Sequence, residues 1–161
     1  MGKLKYLIWH CTATPEGRAV SSNDIRKWHI EGRGWSRVGY SDMIHINGEL
    51  ENMIPFNQDQ VVDSWEISNG AKGFNGSSRH AVYVGGCKSY KPFWLKFYPA
   101  KDTRTEEQKE TMLVYTKYMI ARHPNILVGG HNQLSNKACP SFDVSRWLRE
   151  NGIPERNILK L

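Results

Sequence analysis

Residues 3–10 read Lys3-Leu4-Lys5-Tyr6-Leu7-Ile8-Trp9-His10. The apolar run Leu7-Ile8-Trp9 predicts a buried strand, and the end of that strand delivers a histidine to the rim of the sheet. The pattern recurs near the other end of the chain. Ile126-Leu127-Val128 predicts a short strand, Gly129-Gly130 breaks it, and His131 follows. Two apolar strands that each hand over to a histidine bring imidazoles to the strand ends, where sites on sheets are built.

The rest of the chain fills in around these strands. Ser21 or Ser22 caps a helix with Asp24 in its first turn, and Ile25, Trp28 and His29 share one face of it. Gly32 and Gly34 end that helix. Met43 to Ile46, Asn47-Gly48 and Glu49 to Asn52 predict a hairpin closed by a type I′ turn. His80 to Val84 predicts another buried strand. Thr105 and Gln108 form a capping box that opens a helix to about Arg122, with Met112, Tyr115 and Met119 as its apolar stripe. Asp143 to Asn151 predicts a last helix with Gly152 as its C-cap. Trp65 to Ser78 and Lys88 to Asp102 read as loop. Strands interleaved with three helices predict a mixed α/β (α+β) fold. The expectation is a single domain over residues 1–161, with a central mixed β-sheet flanked by about three helices; the hairpin means the sheet is not purely parallel.

Composition narrows the function. A chain of 161 residues with 39% hydrophobic and 24% charged residues suits one soluble domain with a sizeable core. No apolar run approaches the roughly 18–20 residues of a membrane span, so membrane insertion is excluded. The start shows no secretory signal, so synthesis in the cytoplasm is expected. Three cysteines, Cys11, Cys87 and Cys139, cannot all pair, which excludes a disulfide scaffold. Lys+Arg exceed Asp+Glu by 22 to 16, a net charge of +6 that suits an anionic partner: nucleic acid, membrane headgroups or bacterial wall.

Cys139 lies eight residues beyond His131, a separation that suits a loop folding back on itself. His10, His131 and Cys139 would form a three-ligand zinc set with its fourth position open, the catalytic arrangement. The plainer reading keeps both histidines as hydrogen-bonded rim residues and Cys139 as a small buried hydrophobe. A rival chemistry makes Cys139 a nucleophile with His131 as its base and Lys137 lowering the thiol pKa. Lys137 and Tyr40 are candidates for stabilising charge that develops on an oxygen, against a solvated lysine and a packing tyrosine. His29 reads as a helix-face residue. His123 reads as structural, at a helix C-terminus where partial positive charge is favourable. His45 and His80 fall in strands, as core or rim. Trp35, Trp65, Phe74, Tyr90, Phe93 and Trp94 offer a carbohydrate groove or, more simply, anchors for core and loops.

Three blocks together resemble the zinc-dependent N-acetylmuramoyl-L-alanine amidases, especially the short bacteriophage endolysins, whose fold peptidoglycan recognition proteins share. They are Trp9-His10-Cys11-Thr12-Ala13-Thr14; Ile25-Arg26-Lys27-Trp28-His29 with Gly34-Trp35 and Val38-Gly39-Tyr40; and Gly130-His131 through Lys137-Ala138-Cys139-Pro140-Ser141-Phe142-Asp143. Ala71-Lys72-Gly73-Phe74-Asn75 and Val84-Gly85-Gly86 also match, so the resemblance runs from about Tyr6 to Leu148. It implies one catalytic Zn2+ held by His10, His131 and Cys139, with Tyr40 and Lys137 as the polar catalytic pair. It implies hydrolysis of the amide between N-acetylmuramic acid and L-alanine in peptidoglycan, lytic to the wall. The partner expected is the muropeptide substrate, with no nucleic acid, and the protein is expected to be a monomer. It would act on the wall after release or delivery, with no separate wall-binding domain. The alternative is a non-catalytic peptidoglycan-binding module; recognition proteins that have lost catalysis commonly lack the cysteine, and Cys139 is present. Two stretches depart from the pattern. Many members carry a histidine straight after the tyrosine, where this chain has Ser41-Asp42, and Lys88 to Thr103 is unfamiliar.

Overall fold

The expected strand forms over Tyr6–Cys11, here β1, and it is central because both of its edges are taken. The other strands of its sheet are β2 (Asp42–Ile44), β3 (Leu50–Asn52), β4 (Ser78–Tyr83) and β5 (Leu127–Gly130). The computed structural model describes residues 2–160. Within them the five-stranded sheet runs in the order β3-β2-β4-β1-β5. β1 pairs in parallel with β4, from Tyr6 opposite Ser78 to Cys11 opposite Tyr83, and with β5, from Tyr6 opposite Leu127 to Trp9 opposite Gly130. β2 joins β4 in parallel and β3 antiparallel. The result is the expected single α/β domain with a mixed sheet and three helices.

Alternation along the strands divides the core in two. Leu7, Trp9, Ala81, Tyr83 and Val128 face one side, where α2 (Glu106–Arg122) brings Met112 and Met119 and α3 (Val144–Glu150) brings Val144 and Leu148. Met43 and Val82 face the other, against Ile25 of α1 (Ser22–Arg26), which continues as one wide turn of π-helix over Lys27–Gly32. His10 and His80 lie on this second side by the same alternation. The helix caps form as read: Ser21 with Asp24, Thr105 with Gln108, and Asp143 accepting from the Arg146 amide at 2.9 Å. Gly152, at φ +72°, follows α3.

Two expectations need correction and one needs refinement. The hairpin turn is closed by the Gly48 amide on the His45 carbonyl at 2.9 Å, and Gly48 takes φ +83° while Asn47 stays out of the left-handed region. A type I′ turn needs positive φ at both, so this is the G1-bulge arrangement. Gly129-Gly130 does not break β5 but forms its last two residues. A Cβ on Gly129 would lie 2.6 Å from Leu159 and one on Gly130 would lie 2.8 Å from Val144, so the glycines let the strand pass beneath its neighbours. His123 does cap α2, yet its ring is buried without a hydrogen-bond partner among the described residues, and burial lowers its pKa. It stands neutral rather than as a charged cap. Among the described residues no helix is long and apolar enough to cross a membrane.

A charged lock ties β2 to β4. Arg79 Nε and Nη2 donate to Asp42 at 2.7 and 3.1 Å, the Tyr115 hydroxyl donates to Asp42 at 2.7 Å, and all three side chains are buried. Removing one partner of such a pair strands the other charge, at a cost of about 3–5 kcal/mol. Asp42→Ala should lower the unfolding free energy by about that much in urea titrations; a loss under about 1 kcal/mol would show the lock to be dispensable.

Candidate metal centre

His10, next to last in β1, and His131, the first residue after β5, come from adjacent parallel strands and meet at the same edge of the sheet. Their ring centroids are 4.6 Å apart. The chain then loops back so that Cys139 joins them. Donor atoms of His10, His131 and Cys139 all lie within 4.8 Å of one another, with His10 Nδ1 3.7 Å from Cys139 Sγ.

The Cys139 loop is pinned from three sides. The Cys11 amide donates to Cys139 Sγ at 3.3 Å, the Tyr83 hydroxyl donates to the Pro140 carbonyl at 2.7 Å, and Ser141 Oγ donates to the Gly86 carbonyl at 2.8 Å. Each anchor sits on or just beyond the C-terminal end of β1 or β4, so the sheet itself sets the position of the thiol.

Tyr40 and Lys137 line the same cavity of about 240 Å³ as the three donors. Tyr40 packs against His10 and His29, each ring centroid 5.2 Å away, and lies just before β2. A second hollow of about 410 Å³ shares Trp35, Asn69, Gly70, His131 and Lys137 with the first, so the two form one groove. Its charged lining residues are Arg33, Lys72 and Lys137, with no carboxylate among them. Of the six aromatics considered for a groove, Trp35 lines it; Phe74 stacks edge-on against Tyr6, and Trp65, Tyr90, Phe93 and Trp94 stand exposed elsewhere.

Burial keeps the imidazoles neutral, the form a metal needs. Desolvation, reinforced by His80, His131 and Lys137, holds His10 well below its usual pKa. His131 is lowered by burial and by Lys137. Burial and then the Cys139 charge push the Tyr40 hydroxyl far up, so it remains a donor. The Cys139 thiol is raised by its hydrogen bond with Cys11 and by burial, outweighing the favourable Lys137 charge. A thiol held up this way is a poor free nucleophile, which argues against the Cys139–His131 pair acting alone. Two imidazole nitrogens and one sulfur on separate elements match a zinc donor set with an open position.

His80 was legible only as a strand histidine. The parallel register places its Nδ1 3.0 Å from His10 Nε2, in full burial. Ser41, where the resemblance expects a histidine, is buried and pairs with Ser68 Oγ at 3.0 Å. His45 instead turns outward to Glu51 at 2.8 Å.

No family model matches the chain. The endolysin of Escherichia phage T7 is 31% identical over 142 residues, covering 88% of this chain and 83% of that protein. The endolysin of Enterobacteria phage T3 matches over the same shares at the same identity. Among solved structures, N-acetylmuramoyl-L-alanine amidase LysC from Clostridium intestinale URNW superposes with a TM-score of 0.69 at 16% identity, over 95% of this chain and 88% of that one. The Ph2119 endolysin from a Thermus scotoductus bacteriophage gives 0.66 at 22% identity, over 94% and 86%. Drosophila PGRP-LB gives 0.67 at 17% identity, over 100% and 88%.

His29 offers a test of these electrostatics. Its Nδ1 accepts the Gly39 amide at 3.0 Å, and burial, with Arg33 nearby, lowers its pKa to about 4. The unfolded chain protonates first on acidification, so this stability is full above about pH 6.5 and is lost as pH falls toward 4. Urea unfolding should show lower stability at pH 5 than at pH 7, and the His29 ring should remain neutral by NMR at pH 5. A ring titrating near 6.5 would contradict the burial argument.

Proposed function

Because the chain belongs to the phage endolysin family and has the type 2 amidase fold, we propose that it hydrolyses the amide between N-acetylmuramic acid and L-alanine in peptidoglycan. The observation that carries this reading is the meeting of His10, His131 and Cys139 in one groove with Tyr40 and Lys137. In this reading the three donors hold a single Zn2+. When bound, the ion would supply Lewis acidity toward the scissile carbonyl and acidify a water.

The chain's own residues do the rest. Lys137 and the protonated Tyr40 hydroxyl present N–H and O–H donors to the carbonyl oxygen as it gains charge, a preorganised contribution worth roughly 10²–10³-fold per donor. His29, held by the Gly39 amide, packs on Tyr40 and fixes its ring. Arg33 and Lys72 give the groove a positive lining suited to carboxylates of a stem peptide. The enzyme works as a monomer on the wall, reached from the cytoplasm by release or delivery, and does not require nucleic acid.

Mass spectrometry of peptidoglycan incubated with the protein tests the reading. Peptides with a free L-alanine amino terminus should appear, and a zinc chelator should abolish them. Bound but intact wall would instead mark a binding module. Cys139→Ala should abolish release while preserving wall binding. Lys137→Ala should lower the rate about 10²–10³-fold with the fold intact; an unchanged rate would remove Lys137 from the site.

A further inference from the structure

The surface departs most from an ordinary water-facing one between residues 88 and 101. Tyr90, Phe93, Trp94, Leu95, Phe97 and Tyr98 are all exposed large apolar side chains, and Phe93, Phe97 and Trp94 reach 91%, 75% and 70% exposure. Scattered exposed apolars are normal, but a cluster of this density marks a contact surface. The same stretch carries Lys88, Lys91, Lys96 and Lys101 and no acidic residue. It is held in place at its base. Lys88 N–H donates to the Pro99 carbonyl at 2.8 Å and Lys101 N–H to the Gly86 carbonyl at 3.0 Å. At its tip the Leu95 amide closes a turn on Pro92 at 3.0 Å.

We propose that this loop docks the protein on the surface of an anionic phospholipid bilayer. Phe93, Trp94 and Phe97 would seat at the headgroup level, where aromatic rings are favoured, and Lys88 and Lys96 would meet the phosphates, while Lys101 pairs with Glu16 at 2.6 Å and Lys91 donates to the Leu95 carbonyl at 3.1 Å. Apolar burial combined with basic charge is the usual basis of peripheral attachment. Charge decides against a second copy of this chain, which would bring the lysines together. Geometry decides against nucleic acid. Phe93 and Trp94 stand edge to face, 5.1 Å apart at 81°, and offer no shared flat platform for stacked bases. The rings of Phe93, Trp94 and Phe97 also stand exposed rather than lining a hollow, unlike a saccharide groove.

Sedimentation of the full chain with vesicles tests the docking. Binding to phosphatidylglycerol-containing vesicles should exceed binding to pure phosphatidylcholine vesicles and fall as salt rises. The double variant Phe93→Ala, Trp94→Ala should weaken it about tenfold or more, with muropeptide release from purified peptidoglycan unchanged. Trp94→Phe should keep most of the binding and lose a blue-shifted component of the emission. No vesicle binding, equal binding to neutral vesicles, or a double variant defective only on purified wall would each overturn the proposal.

A second inference comes from inside the sheet and rests on the zinc reading above. His80 donates or accepts through Nδ1 at 3.0 Å from His10 Nε2, and its own Nε2 has no partner among the described residues. A Cβ on Gly70 would fall 2.3 Å from His80 Cγ, so the bare glycine is what admits the ring. With Nε2 engaged, His10 turns Nδ1 toward Cys139. We infer that His80 is a positioning residue: it holds the His10 proton on Nε2 and leaves the Nδ1 lone pair for the metal. Such outer partners commonly change metal affinity 10–100-fold when lost.

Nitrogen-15 NMR of the imidazoles should show His10 protonated on Nε2. His80→Leu should release that tautomer and lower zinc affinity about 10–100-fold in chelator competition. His80→Asn, which restores an acceptor near Nδ1, should recover most of both. A wild-type His10 protonated on Nδ1, or a His80→Leu variant unchanged in tautomer and affinity, would overturn the inference. A wild-type protein that binds no zinc while keeping the Nε2 proton would sink the zinc reading and leave the positioning of His10 by His80 standing.

Discussion

Parallel pairing of β1 with β4 and β5 is the constraint on which the rest depends. Parallel strands end at one edge, so the residues that finish β1 and β5 emerge side by side. His10 and His131 meet for that reason, 121 positions apart in the chain. The same pairing carries β4 alongside β1 and sets His80 behind His10. Open parallel sheets place their sites at this edge, and here the sheet supplies two candidate metal ligands as well as a floor.

The third donor needs a different device. Cys139 belongs to no strand, and its position is enforced by anchors that reach it from Cys11, Tyr83 and Gly86. The tight passage of Gly129 and Gly130 beneath Leu159 and Val144 lets β5 deliver the loop close to the sheet. Burial then sets the chemistry. It holds the histidines neutral and Tyr40 protonated, while Lys137 lines the same cavity from an exposed position. The groove therefore combines lone-pair donors at its base with hydrogen-bond donors at its wall.

Much of this was legible locally. The capping boxes at Ser21 and Thr105 involve residues three apart, so their geometry is written in the sequence itself. The β1 strand announced itself through Leu7-Ile8-Trp9, which fits a strand covered on both faces. The candidate trio of His10, His131 and Cys139 stood out through motif resemblance; spacing alone left it one option among several. What escaped depended on register. Nothing near His80 reveals that Ile8 lies opposite it, so its contact with His10 could not be read. The hairpin turn was misread because Asn-Gly permits two solutions, and packing of Gly48 against Glu107 and Thr111 accompanies the one found. The structural place of His123 at a helix terminus was legible; its neutral state was not, because a terminus favours charge only where water or a partner can support it.

The central claim is that the sheet edge gathers one sulfur and two imidazoles around a single metal. X-ray absorption at the zinc edge of the zinc-loaded protein tests it most directly. The account predicts one zinc per chain with one sulfur near about 2.3 Å and imidazole nitrogens near about 2.0–2.1 Å, and loss of the sulfur in Cys139→Ala. A zinc surrounded by nitrogen and oxygen alone, or by two sulfurs with Cys11 drawn in, would contradict it.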